Sequence, residues 1–184
     1  MEYDYAVIGS GFGGSVAALR LSEKGYKVAV IEQGGWITPA DMEEANSSVG
    51  HLNWFPALGL SGYFTQNFYR HVTIVGGTAV GGGSIVYAAV LLKPKDEFYS
   101  DPAWSELGVD WKQALSTHYE TAARMLGVTA NPNCDIQDDY LCETARAMGA
   151  EATYGSTPNG IYFGTPEVLQ PDPFFGGEIG RAHV

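Results

Sequence analysis

The feature that most limits what this chain can become is a glycine-spaced loop set between two short apolar runs and followed by an acid. Tyr5-Ala6-Val7-Ile8 is uninterrupted and apolar, and it runs straight into Gly9-Ser10-Gly11-Phe12-Gly13-Gly14. An apolar run of that length stopped by glycine reads as a buried strand. Residues from about Gly13 to Lys24 read as a helix, because Val16 with Leu19 and Ala17 with Leu21 fall at helical spacing. Small Ala17 and Ala18 let it lie close on a sheet, and Gly25 is placed to stop it. Val28-Ala29-Val30-Ile31 predicts a second buried strand with Glu32 at its carboxyl end. Residues 4–33 therefore predict a complete βαβ unit and an α/β, Rossmann-like fold.

The pattern of Gly9, Gly11 and Gly14 is G-x-G-x-x-G, which alone is weak. Here a strand precedes it, a helix follows it, and an acid stands about 20 residues further on, as a dinucleotide-binding loop requires. Gly9 permits the tight turn, Gly11 offers no side chain to block a pyrophosphate, and Gly14 lets helix and strand approach. The helix amino end then presents free N–H groups and partial positive charge to phosphates. Glu32 is expected to accept hydrogen bonds from the adenosine ribose, and it would repel a 2′-phosphate, which argues against NADP. The loop does not separate FAD from NAD.

A second glycine cluster bears on that choice. Val72-Thr73-Ile74-Val75 predicts a short strand that feeds Gly76-Gly77-Thr78-Ala79-Val80-Gly81-Gly82-Gly83-Ser84, and an apolar run from Ile85 to Leu92 follows. Three consecutive glycines make a backbone surface that a large flat group can approach closely, as an isoalloxazine ring would. Residues 36–70 lack clear periodicity and predict a long excursion with short helical pieces. Beyond the cluster, Asp110 is expected to cap a helix with an apolar face of Trp111, Leu115, Tyr119, Ala122 and Leu126, ending at Gly127. Asp135 is expected to cap another, aligning Ile136, Tyr140, Thr144 and Met148 and ending at Gly149. A turn-rich stretch follows.

The net charge of −11 argues against a nucleic-acid binder, since phosphate backbones call for Lys and Arg. It also disfavours docking on an anionic membrane. No apolar run approaches the ~20 residues of a transmembrane helix, and a strand at Tyr5 leaves no room for a signal peptide. Cys134 and Cys142 fit neither a zinc site nor a redox pair. They are expected to be free thiols, in keeping with a cytoplasmic location. No metal site is assigned.

The paired glycine motifs, in this order, resemble the glucose–methanol–choline (GMC) type flavin oxidoreductases, and within them the bacterial cholesterol oxidase-like members. The similar segments are Tyr5–Glu32, Gly76–Tyr87, Asp101–Leu107, His118–Asn133 and Pro171–Gly177. The resemblance implies an FAD-binding domain over residues 1–177, incomplete here and lacking the substrate domain. It implies oxidation of an alcohol, a sterol by closest likeness, through hydride transfer to flavin, with oxygen or another acceptor taking the electrons. Gly9, Ser10, Gly11, Phe12, Gly13, Gly14 and Glu32 would hold the ADP half. Gly77, Gly81, Gly82, Gly83, Ser84, Tyr87 and Ala88 would line the flavin side. Tyr87 stands where cholesterol oxidases carry Asn, and Val86 where some relatives carry a flavin-linking His, so the FAD is expected to be non-covalent.

The family's catalytic His and its partner lie near the carboxyl end of a much longer chain. His51, His71, His118 and His183 do not match that position, so no catalytic residue is assigned. An FAD-binding module without catalysis, and an NAD-dependent dehydrogenase, stand as alternatives. Residues 178–184 depart abruptly from the family, and GAGATCGGAAGAGCACACGTC, which looks like a sequencing-library adapter, encodes them. They are expected to be a non-native tail on an enzyme fragment that is inactive alone.

Overall fold

A computed structural model of the chain describes residues 2–164. The Pro171–Gly177 segment and residues 178–184 lie outside the described residues. The backbone divides into two compact units, Met1–Ala88 and Ala89–Val184.

The first unit opens with the expected βαβ. Strand β1 (Tyr5–Ile8) leads through helix α1 (Phe12–Glu23) to strand β2 (Val28–Ile31). The two strands pair in parallel, Tyr5 opposite Val28 and Ile8 opposite Ile31. Helix α1 ends as the sequence predicts. Gly25 takes φ +89°, its amide donates to the Ser22 carbonyl at 2.9 Å, and the Tyr26 amide reaches the Leu21 carbonyl at 3.2 Å. That paired closure satisfies carbonyls the helix would otherwise leave open, and only glycine takes such a φ freely.

The strands are not buried as their composition predicts. Ile8 is 79% exposed and Ile31 55% exposed. The sheet has two strands among the described residues, so no further layer covers these side chains. An all-apolar strand needs cover on both faces to be buried.

The excursion holds the expected helical pieces, α2 (Pro39–Ser47) and α3 (Val49–Leu52). Thr38 and Asp41 form a reciprocal capping box on α2, which fixes where it starts. Two hairpins in this unit were not legible. Strands β3 (Trp54–Phe55) and β4 (Leu60–Ser61) pair antiparallel, as do β5 (Phe64–Phe68) and β6 (Thr73–Gly77). Strand β6 is the element expected at 72–75, extended into the glycine cluster. The apolar run after the cluster forms no strand: Gly82–Ile85 coil into a 3-10 turn, and Val90 makes only an isolated bridge to Asn159.

The second unit is mainly helical. Short helices α4 (Asp96–Ser100) and α5 (Pro102–Ser105) precede α6 (Trp111–Met125) and α7 (Ile136–Ala147). Strands β7 (Thr129–Ala130) and β8 (Pro158–Asn159) pair antiparallel. Both predicted caps form. Asp110 accepts from the Gln113 amide at 3.0 Å, and Asp135 accepts from the Gln137 amide at 2.9 Å. The face expected on α7 is not covered, however: Ile136, Tyr140 and Met148 are exposed, and Cys142 and Ala145 are half-buried instead. No helix among the described residues is long and apolar enough to cross a membrane, and no three His, Cys, Asp or Glu side chains among them cluster as metal ligands.

Candidate cofactor-binding site

The turn between β1 and α1 is shaped by two glycines with different tasks. Gly9 takes φ +87°, and its amide donates to the Ile31 carbonyl at 2.7 Å, tying the turn to the end of β2. Gly14 supplies closeness instead of curvature. A Cβ there would collide with the Gly9 carbonyl oxygen and lie 3.3 Å from Val7 Cγ1. Its bare α-carbon thus lets the helix start directly against the strand.

At the helix amino end, Gly11 is the capping residue and offers no side chain to the first-turn amides. The first turn carries no acidic residue, while Arg20 lies in the last. Unshielded amides, partial positive charge and no competing carboxylate suit an anionic group such as a pyrophosphate. Around Gly13 there is open space. Phe12 is exposed and meets the Tyr87 ring edge-on, with centroids 5.4 Å apart.

Glu32 is held by four donors. Its Oε2 accepts from the Ser10 amide at 2.8 Å and the Ser10 hydroxyl at 2.7 Å. Its Oε1 accepts from the Gln33 amide at 2.9 Å and the Gly34 amide at 3.0 Å. Hydrogen bonding to the ionised form lowers a carboxyl pKa. The Gly34 amide contributes most here, then Ser10, and the value falls from 4.5 to about 2. The acid is therefore charged and oriented at neutral pH.

The second glycine cluster packs against the first. A Cβ on Gly82 would lie 2.8 Å from the Gly11 α-carbon, and one on Gly83 would lie 3.4 Å from the Phe12 ring. Gly81 opens the 3-10 turn at φ +103°, and its amide donates to the Ser10 hydroxyl at 3.0 Å. Gly77 has no room for a side chain either: a Cβ would sit 2.5 Å from the Gly82 carbonyl oxygen. Ser84 is exposed, and its hydroxyl donates back to the Gly81 carbonyl at 2.8 Å. Ala88 is exposed at the end of the unit.

Sequence reasoning missed a third participant. Gly34 has its α-carbon against the Thr78 backbone, where any Cβ would clash, and the Val80 amide donates to the Gly35 carbonyl at 2.9 Å. The loop after β2 is thus stitched to Thr78 and Ala79, both buried. The signal was the Gly34-Gly35 pair two residues after Glu32.

Residues 7–71 match the family described as NAD(P)-binding Rossmann-like domain. A cholesterol oxidase of Acinetobacter baumannii is 44% identical over 96% of this chain and 32% of that protein. The chain is a homologue of the cholesterol oxidases, with a GMC-type oxidoreductase fold. A cholesterol oxidase of Mycobacterium tuberculosis is 42% identical over 96% of this chain and 31% of its own length. A long-chain-alcohol oxidase of Arabidopsis thaliana is 35% identical over 57% of this chain and 13% of its own length. The chain thus spans about a third of the length of the cholesterol oxidases it matches. Its Rossmann-like unit is a dinucleotide-binding fold, and the two glycine loops and Glu32 meet within it.

Proposed function

We propose that this chain is the cofactor-holding part of an FAD-dependent oxidoreductase that acts on an alcohol. The observation that carries the reading is the backbone-to-backbone packing of Gly82 on Gly11 at the bare amino end of α1. That packing places a second glycine-rich surface beside the phosphate loop, where a dinucleotide with a large flat second half has reason to bind. Residues 1–177 then constitute the amino-terminal part of an FAD-binding domain.

In this reading, the first-turn amides of α1 receive the pyrophosphate, and Glu32 accepts from the adenosine ribose hydroxyls. Gly77, Gly81, Gly82 and Gly83 give the flavin half a wall without side chains, edged by Tyr87 and Ala88. Val86 stands where some relatives carry a flavin-linking His, so in this reading the cofactor is held without a covalent link. When bound, FAD supplies the acceptor for the hydride leaving the alcohol carbon, and oxygen or another acceptor takes the electrons onward. The names of the relatives favour a sterol 3β-hydroxyl over a simple alcohol as the substrate of the whole enzyme, and the free thiols Cys134 and Cys142 favour a cytoplasmic location. In this reading the 184-residue chain alone is inactive, because none of its described residues is assigned as the general base that takes the hydroxyl proton.

A chimera tests the reading. In it, this chain replaces the matching segment of the Acinetobacter baumannii relative. The expected product carries bound flavin that cholesterol bleaches under anaerobic conditions, while the chain by itself oxidises nothing. A chimera that folds and holds no flavin would overturn the reading.

A further inference from the structure

Ser10 is a buried polar side chain that touches all three loops of the site. It is 6% exposed. Its hydroxyl has one proton and two lone pairs to place. The proton goes to Glu32 Oε2 at 2.7 Å, well inside the 3.5 Å to the Ala79 carbonyl, and a lone pair accepts from the Gly81 amide at 3.0 Å. The Ser10 carbonyl is itself held by the Ser15 hydroxyl at 2.6 Å, which anchors the residue to α1. One oxygen therefore sits between the acid assigned to the ribose and the loop assigned to the flavin.

We infer that Ser10 is a positioning residue that couples the two halves of the cofactor site: it aims Glu32 at the adenosine ribose and holds Gly81 in register for the flavin. The inference rests on the FAD reading above. Ser10 itself spends its hydroxyl on the protein, so its effect on ligand runs through its two partners. A charge-assisted bond to a carboxylate is among the stronger ones available. Removing the oxygen also leaves the half-buried Gly81 amide without its acceptor.

The two arms predict separable losses, read as dissociation constants for ADP and for FAD in the dilute 184-residue chain. ADP reports the Glu32 arm alone, and the advantage of FAD over ADP reports the Gly81 arm. Glu32→Gln should weaken ADP and FAD by the same factor, roughly tenfold. Ser10→Ala should weaken ADP as well, and should cut the FAD-over-ADP advantage by about a further fivefold. In the Glu32→Gln background, Ser10→Ala should leave ADP binding unchanged and still cut that advantage. Ser10→Thr, which keeps the oxygen, should restore both. If Ser10→Ala fails to fold by circular dichroism, Ser10→Cys fills similar space with a poor hydrogen-bonding group and reads the same split. An unchanged advantage in a folded Ser10 variant, or ADP losses that add in the double variant, would overturn the inference while leaving the FAD reading intact. A wild-type chain that binds neither ADP nor FAD would sink both.

Discussion

Gly82 stands over Gly11 with so little space that a Cβ on Gly82 would lie 2.8 Å from the Gly11 α-carbon. Gly82 also takes φ +55°. A substitution there meets backbone it cannot push aside and a conformation that L-residues resist. Gly82→Ala is expected to destabilise the first unit by about 1–3 kcal/mol. Urea unfolding followed by circular dichroism checks this, and an unchanged midpoint would mean that the two loops do not pack as described.

Gly14 and Gly13 are neighbours with opposite expectations. Gly14→Ala drives a methyl into the Gly9 carbonyl and forces α1 away from β1, whereas a Cβ on Gly13 meets open space. Gly14→Ala should therefore cost about 2 kcal/mol or more. Gly13→Ala should be neutral or stabilising by up to about 1 kcal/mol, because alanine suits a helix better than glycine. Comparing the two thermal melts is decisive, since both variants change a glycine to alanine in the same helical turn.

Glu32 predicts a pH dependence with a definite sign. Its pKa falls from 4.5 to about 2 through hydrogen bonds to the ionised form. A depressed carboxylate contributes stability that is whole above the unfolded value and lost as pH drops through the folded one. The melting-temperature gap between wild type and Glu32→Gln should thus be constant above about pH 4.5 and close as pH falls towards about 2. Because Glu32 is only half-buried, solvent screening keeps that gap modest. A gap that stays open below pH 2 would show that Glu32 acts by its shape and not its charge.

The strands of the βαβ predict self-association. Ile8, Val30 and Ile31 are exposed on a two-stranded sheet, and such a sheet is marginal without further cover. Sedimentation of the 184-residue chain should show association that grows with concentration, and Ile8→Thr should reduce it. A monodisperse monomer that melts reversibly would contradict this.

What the sequence made legible was what depends on local chemistry. The glycine turn between β1 and α1, the Gly25 stop and the Asp110 and Asp135 caps each follow from a residue type at a fixed offset, and each is where it was expected. The hairpins β3–β4 and β5–β6 depend on which segment finds which partner. Phe64-Thr65-Gln66-Asn67-Phe68 carries too little alternation to announce a strand on its own. The exposure of Ile8 was hidden for a related reason: composition reports what a strand can bury, and its burial requires a neighbouring layer. The sequence places Ser10 in the phosphate loop but hides its link to the second loop, because its partners Glu32 and Gly81 are distant in sequence.

The central claim is that the two glycine loops together make a flavin site and not merely a nucleotide site. The most direct test is a titration of the 184-residue chain with FAD, NAD and NADP, followed by quenching of flavin fluorescence for FAD and by calorimetry for all three. The account predicts saturable one-to-one binding of FAD at least about tenfold tighter than NAD, with NADP weakest because Glu32 repels a 2′-phosphate. Binding of NAD as tight as or tighter than FAD would contradict it and favour a nicotinamide-dependent dehydrogenase.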